Sequence, residues 1–533
     1  MRSVLLGVFV AASSTSFSAI AAPQSAEFAG LARLVQNAKE ATSFPSGTAI
    51  VAIEGGRVVY EGYFGYADIG ARTPVDRDTA FYIASATKPF FALNALLQGE
   101  RGRIDTATNL QAMFPDLAFQ RFDANTVTLR DLLSHTSGID NPALVWATAY
   151  SGLHDAATRR ALVAQTTPDP DTAHGVFDYS NVGYNIASVW LDEAIGTPWQ
   201  TQLHDTIFAP LGMHRTTAFI DKARADGWSI ARPYSVMSTD RNMPLYLEKS
   251  DRTMHAAGGL VASAPDLARF LLAQMPDSSG RSALPAPVIA RSHAQQTITD
   301  GVAFEDFERS GYAWGWYIGE YKGKRMLHHF GGFAGFHAHL SFIPESNVAL
   351  VVLNNEDFLA ARLTSLIADY AYGVMLRDAD TDRRVAARFD ALIEKARGLD
   401  AAVARQQETL HGRTWNLSRA ADAYAGTYTH ALLGDVDITL DASGHPHVRW
   451  GRLSATALPF DDKDTMRVEL VPNSGSVLRF ELDEAGVRSL RFEGLAFARR
   501  PQRSANPAAA TSAATPDSGR NNVFAASTRA MKS

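Results

Sequence analysis

The sequence predicts an α+β fold followed by a small all-β domain, and two shifts of pattern carry this prediction. Strand-like runs open and close the region between residues 48 and 353, whereas helix-like and loop-like stretches dominate from about 85 to 275. Strands at both ends with helices inserted between them indicate a sheet domain interrupted by a helical one. From about residue 423 the chain turns to short alternating segments separated by turn residues, a pattern typical of a barrel or sandwich.

Local signals place the individual elements. Two apolar runs, 48–53 and 58–64, flank Gly55-Gly56, a tight-turn pair that predicts a hairpin. Strand signals return in three further runs: 325–330, 337–343 and 348–353. Residues 377–407 are rich in Ala, Arg, Asp and Glu and predict a charged helical connector. The folded part of the chain is therefore expected to divide into an α+β domain (27–375), a connector (376–412) and an all-β domain (413–503).

The composition excludes several classes of function. The chain has 533 residues and no cysteine, so a disulfide framework, a thiolate nucleophile and cysteine-ligated zinc are all absent. Its 50 basic and 56 acidic residues give a net charge of −6, without the basic excess that nucleic-acid binders usually carry. Any catalytic chemistry must therefore come from hydroxyls, carboxylates, lysines, histidines or a bound metal ion.

Both ends of the chain are expected to lie outside the folded domains. Arg2, the apolar run 4–12 and the small-x-small site Ala19-Ile20-Ala21 predict a signal peptide at 1–21, and hence a periplasmic or secreted protein. No later run approaches the roughly 18 apolar residues of a membrane span. Residues 504–533 are rich in Ala, Ser, Thr, Pro and Asn and predict a disordered tail.

The first chemical motif is an S-x-x-K tetrad, Ser85-Ala86-Thr87-Lys88, followed by Pro89. Pro89 fits only the first turn of a helix, so the motif is expected at a helix N-terminus, where residues three apart share a face. The partial positive charge of that end helps to lower the pKa of the lysine. A deprotonated Lys88 can then accept the proton of Ser85 and make it a nucleophile.

Two further motifs follow along the chain. Tyr179-Ser180-Asn181 offers a phenol for general acid or base chemistry if lysines hold its pKa down, and an amide that can orient a carbonyl or the lysine. The second is His329-Phe330-Gly331-Gly332, where glycines beside a strand let the backbone approach a ligand closely. A backbone N–H there could complete an oxyanion hole with that of Ser85. Either motif alone also fits an ordinary turn or bulge.

Together the three motifs resemble the serine β-lactamases of class C, penicillin-binding DD-peptidases, D-aminopeptidases and related esterases. The middle element Y-x-N is Tyr179-Ser180-Asn181, and residues 128–138, 210–213 and 257–260 also look like segments of this family. The resemblance covers roughly residues 27–373. It implies a β-lactamase/transpeptidase-like fold, with an antiparallel sheet flanked by helices plus an all-α subdomain. The region after residue 424 looks, more weakly, like the barrel-like β appendix of D-aminopeptidase-like relatives.

The resemblance also assigns roles. It implies that Ser85 is the acylated nucleophile, that Lys88 accepts its proton or modulates Tyr179, and that Tyr179 returns a proton to the leaving group. Asn181 would hold the substrate and Lys88. The backbone N–H groups of Ser85 and Gly332 would form the oxyanion hole.

The third motif departs from the K-T-G of true β-lactamases, since His329-Phe330-Gly331 occupies its place. A lysine there suits the carboxylate of a β-lactam, whereas histidine is mostly neutral near pH 7. The resemblance therefore favours an exported serine peptidase, D-aminopeptidase-like or acting on linearised cyclic peptides. A carboxylesterase, a β-lactamase or DD-peptidase and a non-enzymatic binding protein remain as alternatives. No cofactor is predicted, the expected partner is a small peptide or ester, and the oligomeric state stays open.

Metal-dependent hydrolysis is the rival mechanism, because four histidines fall within twelve residues: His328, His329, His337 and His339. No H-E-x-x-H helix and no H-x-H-x-D spacing accompanies them, so we expect these histidines to line or support the cleft. An α/β-hydrolase is disfavoured because no G-x-S-x-G elbow occurs.

Overall fold

The computed structural model describes residues 26–275, 283–299, 301, 303 and 307–501. The predicted signal peptide (1–21) and the predicted tail (504–533) lie outside this part of the chain. The described residues up to Arg499 form one compact unit. Within the described ranges, no helix has the length and apolar character needed to cross a bilayer.

An eight-stranded antiparallel sheet brings the two ends of the α+β region together. Its strands in chain order are β1 (Thr48–Glu54), β2 (Arg57–Phe64), β3 (Thr297–Ile298), β4 (Gly311–Tyr312), β5 (Tyr317–Tyr321), β6 (Lys324–Phe333), β7 (Phe336–Ile343) and β8 (Val348–Asn354). Across the sheet they follow the order β3-β4-β5-β6-β7-β8-β1-β2. The predicted hairpin β1–β2 is confirmed, and β1 pairs along its whole length with β8.

The central strands β7 and β8 are buried along their whole length because helices cover both faces of the sheet. Successive residues of β8 enter two different cores. Val351 joins the core that includes helix Ala264–Gln274, and Val352 joins the core under helices Ala29–Thr42 and Ala360–Met375. The sheet is therefore the middle one of three layers, with helices packed against each of its two faces.

The insertion between β2 and β3 is mainly helical. Its α-helices are Lys88–Glu100, Leu110–Met113, Leu129–Ser134, Pro142–Trp146, Ala156–Val163, Val182–Ile195, Trp199–Leu203, Ala209–Leu211, Ile220–Ala225, Ala264–Gln274 and Ala286–Ser292. Two π-helical turns, Ala147–Ser151 and His204–Phe208, interrupt the helices, and 3-10 turns occur at Ala84–Thr87 and Asp251–Thr253. Short strands also pair within it, at Tyr66–Asp68, Thr73–Pro74, Ala80–Tyr82, Ile139–Asp140, Thr167–Pro168, Thr216–Thr217 and Val261–Ser263.

Two helices, Thr381–Arg397 and Leu399–His411, lead from the α+β region to a nine-stranded barrel-like sheet. The strands are Gly426–His430, Gly434–Leu440, Pro446–Trp450, Leu453–Thr456, Leu458–Pro459, Thr465–Val471, Ser474–Asp483, Gly486–Phe492 and Leu495–Arg499. The first and last of these strands pair with each other. Tyr428, Trp450 and Phe497 are wholly buried inside, so alternate residues fill an interior, as the sequence pattern predicts.

The nine-stranded sheet packs against the π-helical turn Ala147–Ser151 of the helical insertion and against Trp146, the residue before that turn. The indole of Trp450 stacks on Trp146 with ring centroids 5.6 Å apart. The backbone N–H of Arg452 donates to the carbonyl of Ser151, the last residue of the π turn, at 3.1 Å. Gly451 has a positive φ of 57°, and a Cβ there would lie 2.3 Å from that same carbonyl oxygen. The β sheet is thus fixed directly to the segment Ala147–Ser151.

Candidate active site

Ser85 sits on a sharp turn between a strand and a helix. The strand Ala80–Tyr82 ends just before a 3-10 turn, Ala84–Thr87, which continues into helix Lys88–Glu100 with a proline in its first turn. Ala84 adopts a left-handed conformation with φ of 44°, which is uncommon for a residue with a Cβ. Ser85 remains half-buried while its neighbours are buried, so this turn presents the hydroxyl at the surface of a cleft.

Lys88 is completely buried, and its Nζ atom joins the first two motifs. Nζ lies 3.1 Å from Ser85 Oγ, 2.8 Å from Asn181 Oδ1 and 2.9 Å from the carbonyl oxygen of Ala257. A carbonyl oxygen and an amide oxygen can only accept hydrogen bonds. If the amine is neutral, these two oxygens take its two protons, and its lone pair is left facing the Ser85 hydroxyl.

Burial lowers the pKa of Lys88 well below its usual range. Sequence reasoning attributes the shift to the helix N-terminus, whereas the structure attributes it to loss of water around Nζ. Among the described residues, no carboxylate contributes to the pKa of Lys88. The buried lysine is therefore neutral at a lower pH than an exposed lysine, and a neutral amine can accept a proton.

Tyr179 forms a hydrogen bond with the same hydroxyl and also contacts Lys88. Its ring centroid lies 4.7 Å from Lys88 Nζ. Desolvation raises the pKa of Tyr179 above its usual range, Tyr317 raises it further, and a hydrogen bond with Ser85 opposes the rise. Tyr179 is 37% exposed, and Lys88 is not among the groups that shift its pKa, so the structure does not show a lysine holding this pKa down. Tyr179 is a protonated phenol in the resting site and is suited to donate.

His135 supports the loop that carries Tyr179 and Asn181. Its Nδ1 accepts a hydrogen bond of 3.2 Å from the backbone N–H of Ser180, and its ring lies 4.5 Å from that of Tyr179. His135 ends helix Leu129–Ser134 with a left-handed φ of 62°. The sequence suggests a structural turn here, and the structure gives that turn a position directly under the Y-x-N motif.

His329 is buried near Tyr179 and forms no hydrogen bond with Ser85. Its Nε2 lies 3.3 Å from the hydroxyl of Tyr312, its Nδ1 lies 2.7 Å from the carbonyl oxygen of Phe330, and its ring is 6.1 Å from that of Tyr179. Burial lowers the pKa of His329 well below 6.5, and the nearby Lys88 lowers it further. The residue at the lysine position of K-T-G is thus a neutral group that borders the site.

Gly331 and Gly332 differ sharply in their surroundings. A Cβ on Gly331 would lie 1.8 Å from the carbonyl oxygen of Ile83 and 3.0 Å from the backbone nitrogen of Ala86. Both atoms belong to the segment that carries Ser85, so strand β6 lies directly against the nucleophile. Gly332 is exposed, and a Cβ there would meet nothing within 4 Å.

We expect Gly331→Ala and Gly332→Ala to behave differently. The first methyl group must displace backbone on both sides of Ser85, so we expect a loss of about 1–3 kcal/mol in the free energy of unfolding. Because misplaced reacting groups are costly, we also expect roughly a hundredfold lower ester hydrolysis. Gly332→Ala should match the parent protein in both assays. Equal effects of the two substitutions on thermal unfolding and hydrolysis would contradict this packing.

The other histidines of β6 and β7 do not join the site. His328 alternates with His329 along β6 and therefore points to the opposite face of the sheet. There His339 Nε2 lies 2.7 Å from Ser341 Oγ, which in turn lies 2.6 Å from the hydroxyl of Tyr372. In the part of the chain that the structure describes, no group of three or more acidic or histidine side chains could hold a metal ion.

Two contacts of the site have no counterpart in the motifs. The Ala257 carbonyl that binds Lys88 is a backbone group, so its residue type carries no chemical signal, although residues 257–260 stand out as a family segment. Tyr312, which meets His329 at 3.3 Å, reads in the sequence as one of several aromatic residues of a strand. Ser85, Lys88, Tyr179 and Asn181 are brought together as the motifs predict.

Comparison with known proteins identifies the family. The Beta-lactamase family model matches residues 31–372, more than half of the chain. A penicillin-binding protein of Bacillus subtilis (strain 168) is 27% identical over 323 residues, which cover 58% of this chain and 68% of the relative. An unguisins hydrolase of Aspergillus violaceofuscus (strain CBS 115571) is 26% identical over 441 residues, which cover 77% of this chain and 75% of the relative.

A third relative and a solved structure agree with these matches. A D-aminopeptidase of Brucella anthropi is 24% identical over 380 residues, which cover 69% of this chain and 66% of the relative. The octameric penicillin-binding protein homologue from Pyrococcus abyssi has a TM-score of 0.56 at 21% identity, with 88% of this chain and 99% of that chain covered. The predicted fold class, including the barrel-like all-β region, is confirmed. The chain belongs to the beta-lactamase family and is a serine hydrolase.

Proposed function

We propose that this hydrolase cleaves amide bonds of small or linear peptides through an acyl-enzyme on Ser85. One observation carries the proposal: the buried Lys88 has acceptors for both protons of a neutral amine and lies 3.1 Å from Ser85 Oγ. Such a lysine is an activating base for a serine nucleophile. The relatives named D-aminopeptidase and unguisins hydrolase support an activity on amide bonds.

The residues divide the reaction between them. Lys88 accepts the proton of Ser85 as Oγ forms a bond to the carbonyl carbon, and the backbone N–H groups of Ser85 and Gly332 stabilise the oxyanion. Tyr179 donates its proton to the leaving nitrogen as the C–N bond breaks, and the proton on Lys88 returns to Tyr179. Water then attacks the acyl-enzyme, with the same groups moving its proton to Ser85 Oγ. Asn181 holds Lys88 and orients the substrate.

The substrate class rests on the neutral His329. A fixed positive charge at this position suits a carboxylate on the leaving-group side, and His329 supplies none because its pKa is lowered by burial. A peptidase is therefore favoured over a β-lactamase. A carboxylesterase is the second candidate, because the same acyl-enzyme chemistry cleaves esters more easily. We further propose that the protein is exported, from the signal-like pattern of residues 1–21.

The pH dependence of kcat/KM tests the role of Lys88. Only the neutral amine accepts a proton, so activity should rise with pH as Lys88 loses its proton. Because burial lowers the pKa of Lys88, this rise should fall well below the usual range for lysine. His329 is already neutral there, so His329→Gln should leave the position of the rise in place. A rise that follows an ordinary lysine, or one that moves with His329→Gln, would contradict the assignment.

A substrate panel tests the proposed class. The purified protein should be assayed with short peptides, D-amino-acid anilides, p-nitrophenyl esters and a chromogenic cephalosporin. We expect hydrolysis of peptides or anilides, little hydrolysis of the cephalosporin and no effect of a chelator. A preference for short acyl esters over every peptide and anilide would select the carboxylesterase instead.

A further inference from the structure

Strand β6 runs past Ser85, and its residues can be assigned to one side or the other of the nucleophile. Its pairing with β7 runs without a register shift from Leu327 to Phe333. Residues 329, 331 and 333 therefore share one face. Gly331 lies against the segment of Ser85, so His329 and Phe333 flank the nucleophile, each two strand positions away, or about 7 Å along the strand.

The two flanks correspond to the two halves of a substrate. Tyr179, the proposed proton donor to the leaving group, has its ring 6.1 Å from that of His329. The leaving group therefore lies on the His329 side of Ser85. The acyl group must extend in the other direction, toward Phe333.

A second buried lysine stands at the acyl side. Lys249 is 4% exposed, and its Nζ lies 3.8 Å from the ring centroid of Phe333 and within 6 Å of the rings of Tyr82 and Tyr150. It also donates a hydrogen bond of 2.7 Å to the carbonyl of Ala149, inside the π-helical turn on which the β sheet packs. These aromatic faces and this carbonyl stabilise a cation.

Lys249 also lines a cavity of about 360 Å³, together with Tyr82, Trp228, Arg232, Glu248 and Phe336. The carboxylate of Glu248 is already engaged by Arg232 at 3.1 Å and by Arg224 at 3.4 Å. Among the described residues, no carboxylate forms a salt bridge with Lys249 or contributes to its pKa. Lys249 therefore joins this cavity to Phe333 and, unlike Arg224 and Arg232, has no carboxylate partner among the described residues.

We propose that Lys249, which contacts Phe333, recognises a carboxylate carried by the acyl half of the substrate and bound in the cavity that Lys249 lines. This inference rests on the proposed acyl-enzyme at Ser85, which fixes the two sides of the site. The negative charge of the substrate would then lie on the Phe333 side of Ser85, opposite to His329, which holds the lysine position of K-T-G. It also means that an ammonium group in the place of that carboxylate is disfavoured.

The surrounding charges make this recognition responsive to protonation. Burial lowers the pKa of Lys249 to about 7, and His255 lies near enough to Lys249 and Lys88 for both to lower its own pKa. Arg224, Arg232 and Glu248 are the other charged groups that line the cavity. A carboxylate beside Lys249 favours its charged form, so binding should be accompanied by proton uptake above pH 7.

Binding to an inactive protein tests the proposal apart from turnover. Isothermal titration calorimetry on Ser85→Ala should compare the 4-nitroanilides of glutaric, pentanoic and 5-aminopentanoic acid, which share a five-carbon acyl chain and differ in its end group. We expect the glutaryl compound to bind roughly tenfold more tightly than the pentanoyl compound, as for a hydrogen bond to a charged group. Adding Lys249→Met should remove that difference.

Lys39→Met is the matched control, because Lys39 is a half-buried lysine whose pKa is also lowered to about 7 by desolvation, and it lies on helix Ala29–Thr42 away from Ser85. It should leave the preference for glutaryl intact. Equal binding of the glutaryl and pentanoyl compounds, tighter binding of the ammonium compound, no binding of the glutaryl compound, or a preference that survives Lys249→Met would each overturn the proposal. The parent protein, which retains Ser85, should also be assayed for hydrolysis of the same anilides. Selective binding of the glutaryl compound without hydrolysis would refute the proposed function but not the role of Lys249.

Discussion

Replacing Ser85 with alanine is expected to lower kcat for every hydrolysed substrate by at least about 10⁴-fold, the scale seen when a catalytic nucleophile is removed. Ser85 Oγ is the atom that forms the acyl bond in the proposed reaction, and no second hydroxyl is placed 3.1 Å from Lys88 Nζ among the described residues. Steady-state hydrolysis of a p-nitrophenyl ester and of an active anilide measures the loss.

Ser292→Ala provides the control for this result. Its side chain is buried, and its hydroxyl donates to the Ile289 carbonyl within its own helix at 2.7 Å rather than to any group of the site. The control should keep the parent activity. Hydrolysis by the Ser85→Ala protein at the parent rate would contradict the serine mechanism.

The second large effect is expected from Lys88. Lys88→Met removes the base that faces Ser85 Oγ and should lower kcat by about 10³-fold, within the range for loss of general base catalysis. Lys88→Arg supplies a permanent positive charge but cannot accept a proton, because a guanidinium stays protonated in proteins. We therefore expect arginine to be as inactive as methionine, with both variants checked for folding by thermal unfolding.

The arginine variant separates two roles. If Lys88 served only to hold Asn181 through a positive charge, the arginine would restore part of the activity. Substantial rescue by Lys88→Arg in folded protein would therefore contradict the assignment of Lys88 as a base.

Much of the fold could be predicted because its signals are local. The Gly55-Gly56 turn specifies the β1–β2 hairpin, and turn residues separate the short strands of the barrel-like region. The pairing of β1 with β8 could not be read in the same way, since it joins Thr48 to Asn354 across the whole insertion. Such a pairing is decided by the two cores that form on either side of the sheet.

In the candidate site, too, some features follow from the local sequence and others only from the three-dimensional packing. Residue types and spacing predict Ser85, Lys88, Tyr179 and Asn181, because their chemistry resides in their side chains. The direction of the Tyr179 pKa shift and the role of the Ala257 carbonyl depend on which atoms lose water and which backbone groups turn inward. Lys249 has no signal in the sequence, because a lone lysine in a loop forms no motif; its contact with Phe333, on the strand beside Ser85, links it to the site.

The most direct test of the acyl-enzyme is the mass of the protein during turnover. The protein should be quenched with acid while it hydrolyses a slow ester, digested and analysed by mass spectrometry. We predict an added acyl group on the peptide that contains Ser85, absent from the Ser85→Ala protein and lost again as the substrate is consumed. An acyl group on another residue, or turnover with no adduct on the Ser85 peptide under conditions that accumulate the intermediate, would contradict the account.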